Sequence, residues 1–233
     1  VHMVEVLPQL KDPDQAERLI ELLDSEAAPA VKASILLALA ETQSENTHDV
    51  LCPYLEGDHH RLLVVAAAAM IKHGGLHSII QAGVKLQELQ ASADAHERAM
   101  AAEIIGLIGN PAFYHGLEAL MRDVNPAVCT AAHAAAGKLG SPQLLPELLQ
   151  GLTTPIIRAT SLQALRSYGP KACDALWERI SDGAQPLHLR RQALSLVSEH
   201  TTSDNRKRLV DQLKSPDLDH VHASLVALEA GGF

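Results

Sequence analysis

The chain has 233 residues, a net charge of −9, and 47% hydrophobic but only 3% aromatic residues. Alanine and leucine carry the apolar content, which suits helices packed at short range and disfavours a large core built on rings. Phosphate contacts dominate nucleic-acid affinity, so the acidic balance argues against a nucleic-acid partner. The longest apolar run, residues 62–71, is about half the ~20 residues that a membrane-crossing helix needs, and no signal peptide opens the sequence. Three scattered cysteines, Cys52, Cys129 and Cys173, point to reduced thiols in a cytoplasmic setting and to no disulfide or zinc framework.

Apolar periodicity and punctuation predict an alternation of two helices per unit. The pairs are 14–23 with 29–40, 47–55 with 58–72, 76–90 with 95–108, and 111–121 with 126–139. They continue as 142–152 with 155–168, 170–181 with 187–198, and 203–214 with 218–230. Proline sits at or beside helix starts, at Pro13, Pro29, Pro111, Pro126, Pro142, Pro155, Pro170 and Pro186. It is tolerated there because the first-turn N–H has no partner within the helix. Gly106/Gly109 and Gly137/Gly140 read as helix stops. Residues 1–3 read as a cloning remnant, and the sequence ending at Phe233 as the edge of an excised domain, leaving one array over residues 4–233.

The second helices align on a column: Lys32, Arg61, Arg98, Cys129, Arg158, Arg190 and His222. Its intervals of 29, 37, 31, 29, 32 and 32 residues are a period near thirty, the mark of a stacked-helix solenoid. Each basic side chain is expected to reach an acceptor in the turn of a neighbouring repeat, with Asp123, Asp182 and Asp217 suitably placed. Cys129 and His222 depart from the basic column.

The pattern Asp123-x-x-Pro126-x-Val128-x-x-x-Ala132 and its kin resemble HEAT-like repeats. That resemblance implies an all-α, right-handed α-α superhelix of about seven helix pairs. Over residues 71–233, strings such as Lys72-His73-Gly74-Gly75-Leu76 and Lys138-Leu139-Gly140-Ser141-Pro142 are similar to the HEAT region of certain bacterial membrane proteins. In those proteins a soluble array is joined to an ATP/ADP-carrier-like or major-facilitator-like transporter. The resemblance implies a cytoplasmic regulatory domain whose partner is another protein or a neighbouring domain of the same chain.

No nucleophile elbow, phosphate-binding glycine loop or zinc-protease motif occurs, so the sequence alone predicts no enzyme, no cofactor and no metal site. The closest histidines, His59/His60, His73/His77 and His220/His222, read as diverging surface or loop groups. Two partner sites are predicted. On the exposed face of the second helices, Leu63, Met70, Met100, Glu103 and Leu107 form an apolar groove holding one carboxylate, if the array does not bury them. Arg190, Arg191, Arg206, Lys207 and Arg208 form a basic end suited to an acidic ligand. The leading function is a protein-interaction scaffold. The alternative is a HEAT-like enzyme of the phycobilin-lyase or alkylpurine DNA glycosylase type.

Overall fold

The computed structural model describes residues 15–26, 28–44, 46–182, 186–200 and 202–232. The expected remnant at residues 1–3, the helix start at Asp12-Pro13 and the terminal Phe233 lie outside them. The described residues form an all-α solenoid. Its helices are α1 (Gln15–Ser25), α2 (Pro29–Thr42), α3 (Thr47–Leu51), α4 (His60–His73), α5 (Leu76–Ala91), α6 (Ala95–Ile108) and α7 (Tyr114–Met121). They continue as α8 (Pro126–Leu139), α9 (Leu145–Gly151), α10 (Arg158–Tyr168), α11 (Cys173–Ser181), α12 (Leu187–Ser198), α13 (Ser203–Gln212) and α14 (Leu218–Ala230). Described residues up to Ala135 make one compact unit, and those from Ala136 a second.

Several first helices start later than the prolines predict. Cys52–Leu55, Pro111–Phe113, Pro142–Leu144 and Gly169–Ala172 are 3-10 turns, each holding a proline in its first two positions. Proline supplies no N–H to an α-helical ladder, so the chain winds one tighter turn beside it. Asp94, Thr202 and Asp217 cap α6, α13 and α14, each accepting backbone N–H bonds from the first turn.

Only half of the expected glycine stops are stops. Gly109 and Gly140 end helices in the left-handed region, with φ of 64° and 61°. Gly106 and Gly137 instead lie inside α6 and α8. In the second unit a Cβ on Gly137 would sit 2.8 Å from Ala164 Cα, so glycine there permits a close approach to α10.

In the first unit, α2, α4 and α6 pack side by side, and α5 lies against both α4 and α6. Residues 62–70 of α4 are all buried, because α2, α6, α5 and the turn Cys52–Leu55 cover it on every side. In the second unit α12 packs on α14 and α11, and α13 on α14.

Three positions of the predicted column obey a local rule, which differs from the expected reach into a neighbouring repeat. Arg98 Nη1 donates to Ser92 O at 2.9 Å, Cys129 Sγ to Asp123 O at 2.9 Å and Arg158 Nε to Leu152 O at 2.8 Å. Each acceptor lies six residues back, in the turn that enters the same helix. A thiol can make that bond too, which explains how Cys129 fits the column. Two arginines also reach forward: Arg98 to Asp123 and Arg190 to Asp217. Both aspartates sit in the turn before the next second helix, Asp217 as the N-cap of α14.

Candidate functional site

A groove of about 520 Å³ runs between α2 and α6, over buried α4. Its floor is Val64, Val65 and Met100, and Leu37 and Leu107 stand at its sides. At one end the rings of His60 and His96 lie 4.3 Å apart and share a hydrogen bond. Arg61 and Glu103 both line the groove and are exposed. Neither makes an ion pair among the described residues.

The five residues expected in this groove divide. Met100, Glu103 and Leu107, on α6, line it. Leu63 and Met70, on α4, do not: they are 6% and 0% exposed and belong to the core. Helical spacing placed them on one face with the others, but α4 has no free face once its neighbours pack. Val64 and Val65 take their place in the floor. Met100 is itself only 4% exposed, so it offers a surface for contact without projecting into solvent.

The basic end does not assemble. Arg190 is held by Asp217 at 3.0 Å, and Arg191 stands 3.6 Å from Asp219. Arg208 pairs with Asp174 at 3.1 Å and lies 5.9 Å from the centre of the Trp177 ring. Arg191 borders a hollow between α12 and α14, whereas Arg208 borders another between α11 and α13. Arg206 and exposed Lys207 share α13 with Arg208. Sequence proximity had gathered five charges that two different helices display, and at least three of them meet carboxylates.

Electrostatics in both units follow the same contacts. The Arg98 hydrogen bond holds the Asp123 carboxyl below its ordinary range, and the Arg190 hydrogen bond does the same for Asp217. Burial, then the adjacent Asp123 charge, pushes the Cys129 thiol up and away from nucleophilic thiolate chemistry. No three His, Cys, Asp or Glu side chains are placed to hold a metal ion among the described residues.

Comparison with known proteins assigns the central segment. Residues 84–166 match HEAT repeats. This HEAT segment contains α6, with its share of the groove, and the Arg98–Asp123 pair. An uncharacterized phycocyanin operon protein Z from Pseudanabaena tenuis is 35% identical over 86 residues, which is 36% of this chain and 43% of that protein. The chain thus spans less than half the length of this curated relative. Two solved structures are similar at low identity. The complex of CpcE and CpcF of phycocyanin lyase from Nostoc sp. PCC7120 gives 17% identity and a TM-score of 0.42, over 95% of this chain and 84% of that one. Human deoxyhypusine hydroxylase in complex with glycerol gives 14% identity and a TM-score of 0.40, over 98% of both chains.

These matches correct the expectation that the chain is not an enzyme. That expectation rested on the absence of a catalytic motif, which does not exclude an enzyme. They also lend no support to the transporter resemblance. No helix among the described residues is long and apolar enough to cross a membrane.

Proposed function

We propose that the chain is a HEAT-repeat protein of the phycobilin-lyase type, which binds a phycobiliprotein subunit and assists transfer of its chromophore. The observation that carries this reading is the 35% identity to a phycocyanin operon protein across 86 residues. The groove gives the reading a mechanism. An amphipathic helix of the subunit lies along α2 and α6, its apolar face on Leu37, Met100 and Leu107. Exposed apolar grooves mark such partner sites, and methionine adapts to the partner's shape. Arg61 and Glu103 then set direction and register by meeting opposite charges, which favours one docking pose over its reverse.

Co-expression with apo-phycocyanin subunits and a phycocyanobilin supply tests the reading. A stable complex and a covalent red-absorbing adduct above the uncatalysed background are expected. Failure to bind either subunit, with the chain folded, overturns it.

The regulatory-domain alternative, with the array attached to an ATP/ADP-carrier-like transporter, rests on the sequence resemblance alone. It requires apolar spans of about twenty residues elsewhere in the parent gene.

A further inference from the structure

A second cavity, of about 670 Å³, opens in the first unit among α2, α3, α4 and α5. Three histidines from three helices line it: His48 from α3, His73 from the end of α4 and His77 from the first turn of α5. The imidazoles are positioned, not loose. His48 Nδ1 shares a 2.9 Å hydrogen bond with Ser78 Oγ, and its ring meets His77 edge-on at 4.7 Å.

The Gly74-Gly75 turn sets His73 and His77 on the same cavity. A Cβ on Gly74 would fall 2.4 Å from Met70 O and 2.5 Å from Ser78 Cβ, so only glycine lets α5 fold back this tightly. Gln43, the one non-glycine residue with positive φ among the described residues, also borders the cavity. Such backbone strain gathers where function holds it in place. The apolar group open to a ligand is exposed Leu76 at the rim; Leu51, Ala69 and Met70 lie buried behind the cavity.

We propose that this cavity binds a small carboxylate with an apolar body, its carboxylate held by His48, His73 and His77. A cavity of this size suits a metabolite-scale molecule. A metal ion is not the occupant that the geometry favours, since no three candidate ligands converge at coordinating distance among the described residues. Free phosphate would leave exposed Leu76 uncovered.

The charges around the site fit an anion that arrives with a proton. The described groups concerned are Glu41 on α2, Asp49 on α3 and Lys72 on α4, besides the histidines. Burial first, and Lys72 second, hold His73 below its ordinary value, so its imidazole is neutral at neutral pH. A bound carboxylate reverses that balance and draws a proton onto an imidazole.

The test uses the chain labelled with 15N at histidine, titrated with sodium hexanoate and, separately, with inorganic phosphate. Hexanoate is expected to shift the three imidazole signals along one binding curve, about tenfold tighter near pH 6 than near pH 7.5, the gain from one proton taken up. His77→Gln, at an exposed position, should abolish the shift without lowering the melting temperature, and His222→Gln should retain it. Three outcomes overturn the proposal: no shift with hexanoate, an equal response to phosphate, or hexanoate binding that survives in folded His77→Gln and His48→Gln variants.

Discussion

Arg98 grips Asp123 with two hydrogen bonds, Nε to Oδ2 at 2.6 Å and Nη2 to Oδ1 at 3.0 Å. The same aspartate accepts the backbone N–H of Asn125 at 2.8 Å. One carboxylate therefore ties a second helix to the turn that starts the next one. Arg190 and Asp217 repeat the arrangement in the second unit.

The pair makes stability depend on acid. Because Arg98 lowers the folded-state value of Asp123, the unfolded chain takes up this proton first as pH falls. The contribution is complete above the unfolded value of about 3.9 and is lost as pH drops through the lower folded value. Asp123→Asn should lower the melting temperature near neutrality by about 2–4 °C, as expected for a domain of this size. Thermal melts of both proteins should draw together as pH falls below about 3.9.

Histidine 220 sets a second pH window, higher up. It is buried, Nε2 donating to Gln212 Oε1 at 2.8 Å while Nδ1 faces the Arg190 guanidinium at 3.4 Å. Burial first, and Arg190 second, lower its value, against an opposing pull from Asp217. Its contribution is thus whole above the unfolded value of about 6.5 and declines as pH falls below it. The melting-temperature cost of His220→Gln should shrink steadily between about pH 7.5 and pH 5.

Two glycines should respond to alanine with opposite signs. Gly137→Ala drives a methyl group into Ala164, and overpacking of this kind costs about 1–3 kcal/mol. Gly83, inside α5, has nothing within 4 Å of an added Cβ. Gly83→Ala should stabilise by about 0.5–1 kcal/mol through helix propensity. Urea unfolding of both variants separates steric contact from backbone freedom.

Glu103 is the better probe of the groove than Met100. It is exposed and unpaired among the described residues, so Glu103→Lys should leave stability within about 0.5 kcal/mol. It should nevertheless weaken partner binding by about tenfold, the loss from placing a like charge opposite the partner's. Met100→Glu buries a charge and confounds binding with folding. Parallel melts and binding titrations distinguish the two effects.

The column was legible from its spacing, but not all of its partners were: Arg98, Cys129 and Arg158 bond the turn of their own helix, where a neighbouring repeat was expected. Arg190 was read both as a column position and as a ligand contact, and its bond to Asp217, 27 residues on, is the column's. Leu63 and Met70 were misplaced for a related reason. Periodicity names a face, but which neighbours cover that face depends on how helices stack. His73 and His77 read as diverging because the Gly74-Gly75 break hides its own geometry: the turn bends the chain back on itself instead of separating its ends. His48, thirty residues before Ser78, gave no local signal at all.

Helix α4, enclosed on every side, also governs how the chain can be divided. Its run at 62–70 has no polar residue to keep it in solution once a flanking helix is gone. A fragment ending at Gly75 would leave α4 without α5 and α6 and present that run to other molecules, inviting aggregation. The shortest tractable piece from this end must continue through Ile108, whereas a cut within the second unit leaves α4 enclosed.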